Sequence, residues 1–191
     1  MEDLPELTPE GFEILVVREL RKAQLNVSAL RLHRCITLPE REREYLLELA
    51  GGLSRGPWQR QALIACRRQE APIGRGDVAS LLDHLKEADA QAGILFGATE
   101  FTSEALQAAG QGGVVLLRVA HGRTAFDTSG WGTPGHYPAW LPAYCAQTVG
   151  RDVVGHVRYR LLDAAQGDVI VQQLQGPAPG CADPNWTTHL T

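Results

Sequence analysis

The chain has 191 residues, 44% of them hydrophobic and 21% charged, with a formal net charge of -4. These values fit a globular protein with a real core, and they exclude a globally basic nucleic-acid binder while leaving room for a local basic patch. No apolar stretch approaches the ~20 residues that span a bilayer, and the acidic start M-E-D-L-P-E-L-T-P-E holds no apolar signal core. The expectation is a cytoplasmic chain that is neither exported nor inserted in a membrane. Cys35, Cys66, Cys145 and Cys181 are scattered without a C-x-x-C pair, which predicts reduced thiols and no zinc site. Lys22 and Lys86 are the only lysines; arginine supplies the remaining basic charge, as genomic base composition alone can dictate.

Thr8-Pro9-Glu10 opens the first helix with a side-chain cap and a proline at its first position. Phe12, Leu15, Val16 and Leu20 then fall on one apolar face, with Glu13 at its flank. Residues 26–34 read as a strand with Ser28, Leu30 and Leu32 on one side. After a charged turn, residues 44–50 suit a helix by composition, but Gly51-Gly52 and Gly56-Pro57 follow at once and favour a hairpin strand. The run 61–69 (Q-A-L-I-A-C-R-R-Q) is apolar between polar ends and predicts a buried central strand. Its last residues would emerge at the sheet edge, where α/β proteins place their chemistry. A glycine-rich turn, Ile73-Gly74-Arg75-Gly76, leads to a helix capped by Asp77 with Val78, Leu81, Leu82 and Leu85 as its stripe.

Residues 92–98 make a second buried strand, Thr102 caps a short helix stopping at Gly110, and residues 113–120 are a third apolar run. The order is α-β-β-β-α-β-α-β. Composition shifts at Phe126, and residues 128–144 are rich in Gly, Pro and aromatics, which predicts an irregular connection. At least two of Trp131, Tyr137 and Trp140 are expected to pin it to the body. Residues 145–149, 156–162 and 168–174 read as short antiparallel strands, with Val157, Tyr159 and Leu161 alternating against Arg158 and Arg160. The expected organisation is a domain over residues 8–126, a connection over 127–144, a β extension over 145–175 and a poorly ordered tail over 176–191.

Taken together, Phe12-Glu13, the strand I-A-C-R-R at Ile64 to Arg68, and G-I-L-F-G-A-T-E-F-T at Gly93 to Thr102, followed by Ala105 and Ala109, carry a resemblance. They resemble the Mrr-type family, associated with type IV restriction of modified DNA, over roughly residues 8–120. The resemblance implies a restriction-endonuclease-like fold: a mixed sheet with an α-β-β-β-α-β core, flanked by helices. It also implies metal-assisted phosphodiester hydrolysis, in which carboxylates at the sheet edge hold Mg²⁺ and activate a water.

Residue by residue, the family's Gln-x-Lys falls on Ala65 and Arg67. The aspartate of its second strand has no aspartate to fall on; Glu44 is the nearest acid there, with Glu48 behind it, and Glu13 matches a helix glutamate that assists metal binding. The candidate catalytic residues are therefore Glu44, Arg67 and Glu13. Alanine offers a metal no oxygen, and arginine holds its proton while still clamping a phosphate bidentately. The implied reading is a nuclease-fold domain with an altered site and no resident metal, Mg²⁺ being the cofactor if hydrolysis is retained. Its partner would be double-stranded DNA, contacted through Arg55, Arg60, Arg68 and Arg75 beside Arg67. An active metal-dependent endonuclease and a non-enzymatic protein-interaction module using the aromatic connection are the competing readings.

Overall fold

The computed structural model describes residues 7–38, 41–128 and 132–175. Its first helix, α1 (Pro9–Lys22), starts as the sequence predicts: Thr8 is the N-cap and its hydroxyl accepts the Gly11 N–H at 3.1 Å. Phe12, Leu15, Val16 and Leu20 are all buried, and the Phe12 ring meets Phe96 edge-on at 5.4 Å.

Among the described residues, seven strands form one sheet in sequential order: β1 (Asn26–Leu38), β2 (Arg41–Arg55), β3 (Trp58–Arg68), β4 (Ala92–Gly97), β5 (Val114–His121), β6 (Tyr144–Arg151) and β7 (Val157–Leu161). The first three are antiparallel, β3, β4 and β5 are parallel, and β6 and β7 return antiparallel. The ambiguous segment 44–50 is thus a strand, hairpinned to β3 with Glu48 opposite Ala65. Strand β3 lies inside the sheet, between β2 and β4, as its unbroken apolar run requires. The parallel crossovers are α2 (Arg75–Glu87) and α3 (Ser103–Gly112), the latter capped by Thr102 and closed by Gly113 in the left-handed region.

Alternation along the strands divides the core in two. Leu47, Leu49, Ile64, Cys66, Ile94 and Leu117 face α1, whereas Leu63, Ala65, Leu95 and Leu116 face α2 and α3.

Several expectations are corrected. Asp77 is not the cap of α2: Gly74 is, and Asp77 sits at the third helical position, its carboxylate accepting the Gly74 N–H at 2.8 Å. In β1, register shifts between Ser28 and Arg31 and between Leu32 and Arg34, with Ala29 at φ +50°, break the single-sided alternation of Ser28, Leu30 and Leu32. A short helix, α4 (Gly122–Thr128), follows β5 where the sequence showed only a composition shift. Residues 168–174 are a helix, α5 (Gly167–Leu174), rather than a strand. Their β-branched content suits either state, but Ile170 and Leu174, four apart, are both buried over the α1 side of the sheet, and burying that pair selects the helix. Strands β6 and β7 continue the same sheet from β5.

In the aromatic connection, Tyr137 packs edge-on against Phe126 at 5.8 Å and donates to Asp127 Oδ2 at 2.8 Å. Trp140 does not serve as an anchor, being 69% exposed, and Trp131 lies outside the described residues. Trp140→Ala should therefore change stability by less than about 1 kcal/mol, the range for surface substitutions, rather than the cost of a buried indole. A urea melt shifted by several kcal/mol would show that the indole is packed.

Candidate functional site

Strand β3 carries the third-strand motif to the sheet edge with its side chains already sorted. Ala65 and Arg67 share the α2 face, and Arg68 turns to the α1 side beside Tyr45. On β2, Glu44, Leu46 and Glu48 share the face of Ala65 and Arg67, because the register pairs Glu48 with Ala65 and Leu46 with Arg67. Helix α2 then crosses over this face, held at its start by Gly74 and Asp77.

A pocket of about 270 Å³ opens at this corner, lined among others by Arg34 of β1, Glu44 of β2, Arg67 and Arg68 of β3, and Ser80 and His84 of α2. Glu44 is only 5% exposed; its Oε1 accepts the Glu70 N–H at 3.1 Å. Arg67 Nη1 pairs with Asp77 Oδ1 at 2.8 Å, so the residue at the family's lysine position is tied to the start of α2. Glu48, fully buried, has His84 Nδ1 at 2.5 Å from Oε1 and Arg34 Nε at 3.5 Å from Oε2. Arg34 also reaches His84 Nε2 at 2.9 Å and Glu87 Oε2 at 2.6 Å.

The predicted site residues separate into groups. Glu44, Arg67 and Arg68 line the pocket, and Arg75 is exposed at the first turn of α2 nearby. Glu13 is exposed on α1, on the opposite side of the sheet, and does not line the pocket. Arg55 and Arg60 sit at the hairpin end of β2 and β3. Seven residues separate Arg60 from Arg67, or ~23 Å of extended strand, so nearness in sequence is not nearness in space. Arg55 is engaged there by Asp168 at 2.9 Å and the Ala23 carbonyl at 2.6 Å, and Arg60 donates to the neighbouring Gln59 carbonyl.

Sequence reasoning missed Arg34 and His84 altogether. Arg34 lies 50 residues before His84, on another element, and no local pattern links them. The available signal was the buried side of β2: a glutamate facing the motif strand needs a cation or donor from somewhere.

A mixed sheet whose second and third strands bring an acid opposite a third-strand motif, with helices on both faces, defines a restriction-endonuclease-like α/β protein. The model of the Mrr-type restriction endonuclease family matches residues 4–121, more than half of the chain, and the chain belongs to that family. Comparison with curated proteins and with solved structures gives no match.

Family chemistry usually relies on Mg²⁺, a hard cation that takes about six oxygen ligands. The donors at this edge do not fit it. Ala65 has no side-chain oxygen, and both carboxylate oxygens of Glu48 face an imidazole N–H or a guanidinium. One oxygen of Glu44 is used by a backbone amide. Among the described residues, no three His, Cys, Asp or Glu side chains come together as a metal-ligand set. Among them, too, no helix is long and apolar enough to cross a membrane.

Proposed function

We propose that this chain is a restriction-endonuclease-fold domain that binds the phosphate backbone of duplex DNA without hydrolysing it. The observation that carries the reading is the pair Glu48–Ala65: the buried acid facing the motif strand is engaged by His84 and Arg34, and its partner offers no oxygen. What supports contact with an anion is the set of guanidiniums at the same edge, Arg67, Arg68 and Arg34 on the pocket wall and Arg75 at the start of α2. Each arginine has five N–H donors, so the ion pair with Asp77 orients Arg67 without exhausting it. The acids nearby, Glu44, Glu48, Asp77 and Glu87, offset much of this charge. Binding is therefore expected to be modest, with Kd on the order of 10⁻⁴–10⁻⁶ M, and sensitive to salt.

A gel shift with labelled duplex in EDTA tests the binding half. Arg67→Ala and Arg75→Ala should each weaken binding across sequences and reduce the salt slope by about 1. A complex equally stable at high and low salt, or untouched by both variants, would remove the backbone role. For the chemistry, no cleavage of unmodified or methylated duplex is expected with Mg²⁺ or Mn²⁺. Ala65→Gln with Arg67→Lys should not restore it, because Glu48 remains engaged by His84 and Arg34. Cleavage that survives repurification and disappears in Glu44→Ala would overturn the non-hydrolytic reading.

A further inference from the structure

The disagreement between the donor set and Mg²⁺ has a physical source in one residue. Arg34 of β1 is the cross-strand partner of Glu48, whose other cross-strand partner is Ala65. The buried carboxylate therefore lies between an arginine on the edge strand and the motif strand. His84 Nε2 faces an Arg34 N–H and so must accept, which assigns the ring proton to Nδ1, donated to Glu48 Oε1. In that arrangement the His84 ring serves Glu48 as a hydrogen-bond donor, and the guanidinium is the permanent charge that faces Oε2. Glu48 Oε2 receives no hydrogen bond and meets Arg34 Nε only at 3.5 Å, a charge contact without a directed bond. Glu87, 58% exposed, closes the outer side of the same guanidinium.

We propose that Arg34 is the resident cation of this sheet edge, standing at Glu48 in the role a divalent ion fills in metal-dependent phosphodiester chemistry, so that the pocket is metal-independent. The proposal rests on the reading of this edge as a site that does not hydrolyse DNA, but its tests use no DNA. Two carboxylates and an imidazole surround the guanidinium, so removing it leaves a buried anion whose remaining partner is the His84 ring. That vacancy should accept a hydrated cation, and because the donors include an imidazole nitrogen, Mn²⁺ is a better probe than Mg²⁺.

The full chain is melted in EDTA and in millimolar Mn²⁺, with Mn²⁺ binding followed separately by electron paramagnetic resonance. The parent's midpoint should be the same in both buffers. Arg34→Ala should lower the midpoint by about 6–20 °C, the scale for leaving a buried charge uncompensated in a domain of this size, and Mn²⁺ should recover part of the loss. Arg34→Lys, which keeps the charge, should stay blind to Mn²⁺. Arg34→Ala with Glu48→Gln removes both charges and should be less destabilised and unresponsive to Mn²⁺. If Arg34→Ala does not fold alone, Mn²⁺ should restore its far-ultraviolet circular dichroism. A parent that binds Mn²⁺ through Glu48, or an Arg34→Ala protein that Mn²⁺ neither stabilises nor refolds, would overturn the proposal. Failure of the gel shift would remove DNA binding and leave this result standing.

Discussion

Glu19→Ala is expected to destabilise the protein by about 3–5 kcal/mol, the usual cost of removing one partner from a buried ionic network. Glu19 lies on α1 and is fully buried, which a carboxylate tolerates only when its oxygens are satisfied. Here they are: Oε1 receives Arg18 Nε and Lys22 Nζ, each at 2.8 Å, and Oε2 receives Lys22 Nζ at 3.0 Å and the Ala146 N–H at 2.9 Å. The last of these bonds joins the first helix to β6 across 127 residues, and Arg18 adds a bond to the Tyr144 carbonyl beside it. Alanine would orphan a buried backbone donor and leave two cations without their anion. Glu19→Gln keeps an acceptor and should cost less. Urea unfolding followed by tryptophan fluorescence and by circular dichroism measures both variants. Coincident transitions in the parent would show the last strands unfolding with the body; a loss below about 1 kcal/mol in Glu19→Ala would mean that this join contributes little.

That join also shows where sequence reading reaches its limit. The strands at 61–69, 92–98 and 113–120 were legible because a continuous apolar run bounded by turn residues has few other fates in a soluble chain. The hairpin of β2 and β3 followed from the glycines after Ala50, which overrode a helix-like composition. Segment 167–174 failed for the opposite reason: eight residues of mixed valine, isoleucine and glutamine carry no decisive period, and the choice fell to the surface that Ile170 and Leu174 could cover. Within the connection, Tyr137 and Trp140 are equally aromatic, yet Tyr137 packs on Phe126 and bonds to Asp127 while the Trp140 indole stays 69% exposed. At the site, resemblance brought Arg67, Ala65 and Glu44 into view because they lie on one short motif and its hairpin partner. Arg34 and His84 stayed hidden because their roles exist only once β1 and α2 are packed against β2.

Raising the pH from about 9 to about 11 should destabilise the protein, and Cys66→Ala should remove roughly 2–3 kcal/mol of that loss. Cys66 stands between Ala65 and Arg67 near the end of the motif strand, fully buried on the face opposite Arg67. Burial pushes its thiol from an ordinary value near 9 up to about 12, against the opposing influence of the Tyr45 hydroxyl and Arg68. Burial likewise raises Tyr45, the charges of Cys66 and Arg68 acting in opposite senses. A raised pKa in the folded state means that the unfolded chain releases its proton first. Stability from this group is therefore complete below pH 9 and is lost as the pH climbs from the unfolded value towards 12, at about 1.4 kcal/mol per unit. Burial raises Tyr45, Cys145 and Tyr159 in the same sense, so Cys66→Ala keeps a residual slope, which Tyr45→Phe should reduce further. The truncation itself leaves a small cavity and should lower stability at neutral pH, so the comparison is between slopes, not absolute values. Denaturant melts at several pH values, under reducing conditions, supply them. Parallel slopes for parent and Cys66→Ala would mean that the thiol already ionises in the folded protein, and a thiolate buried in the motif strand would give Arg68 a different task from the one proposed above.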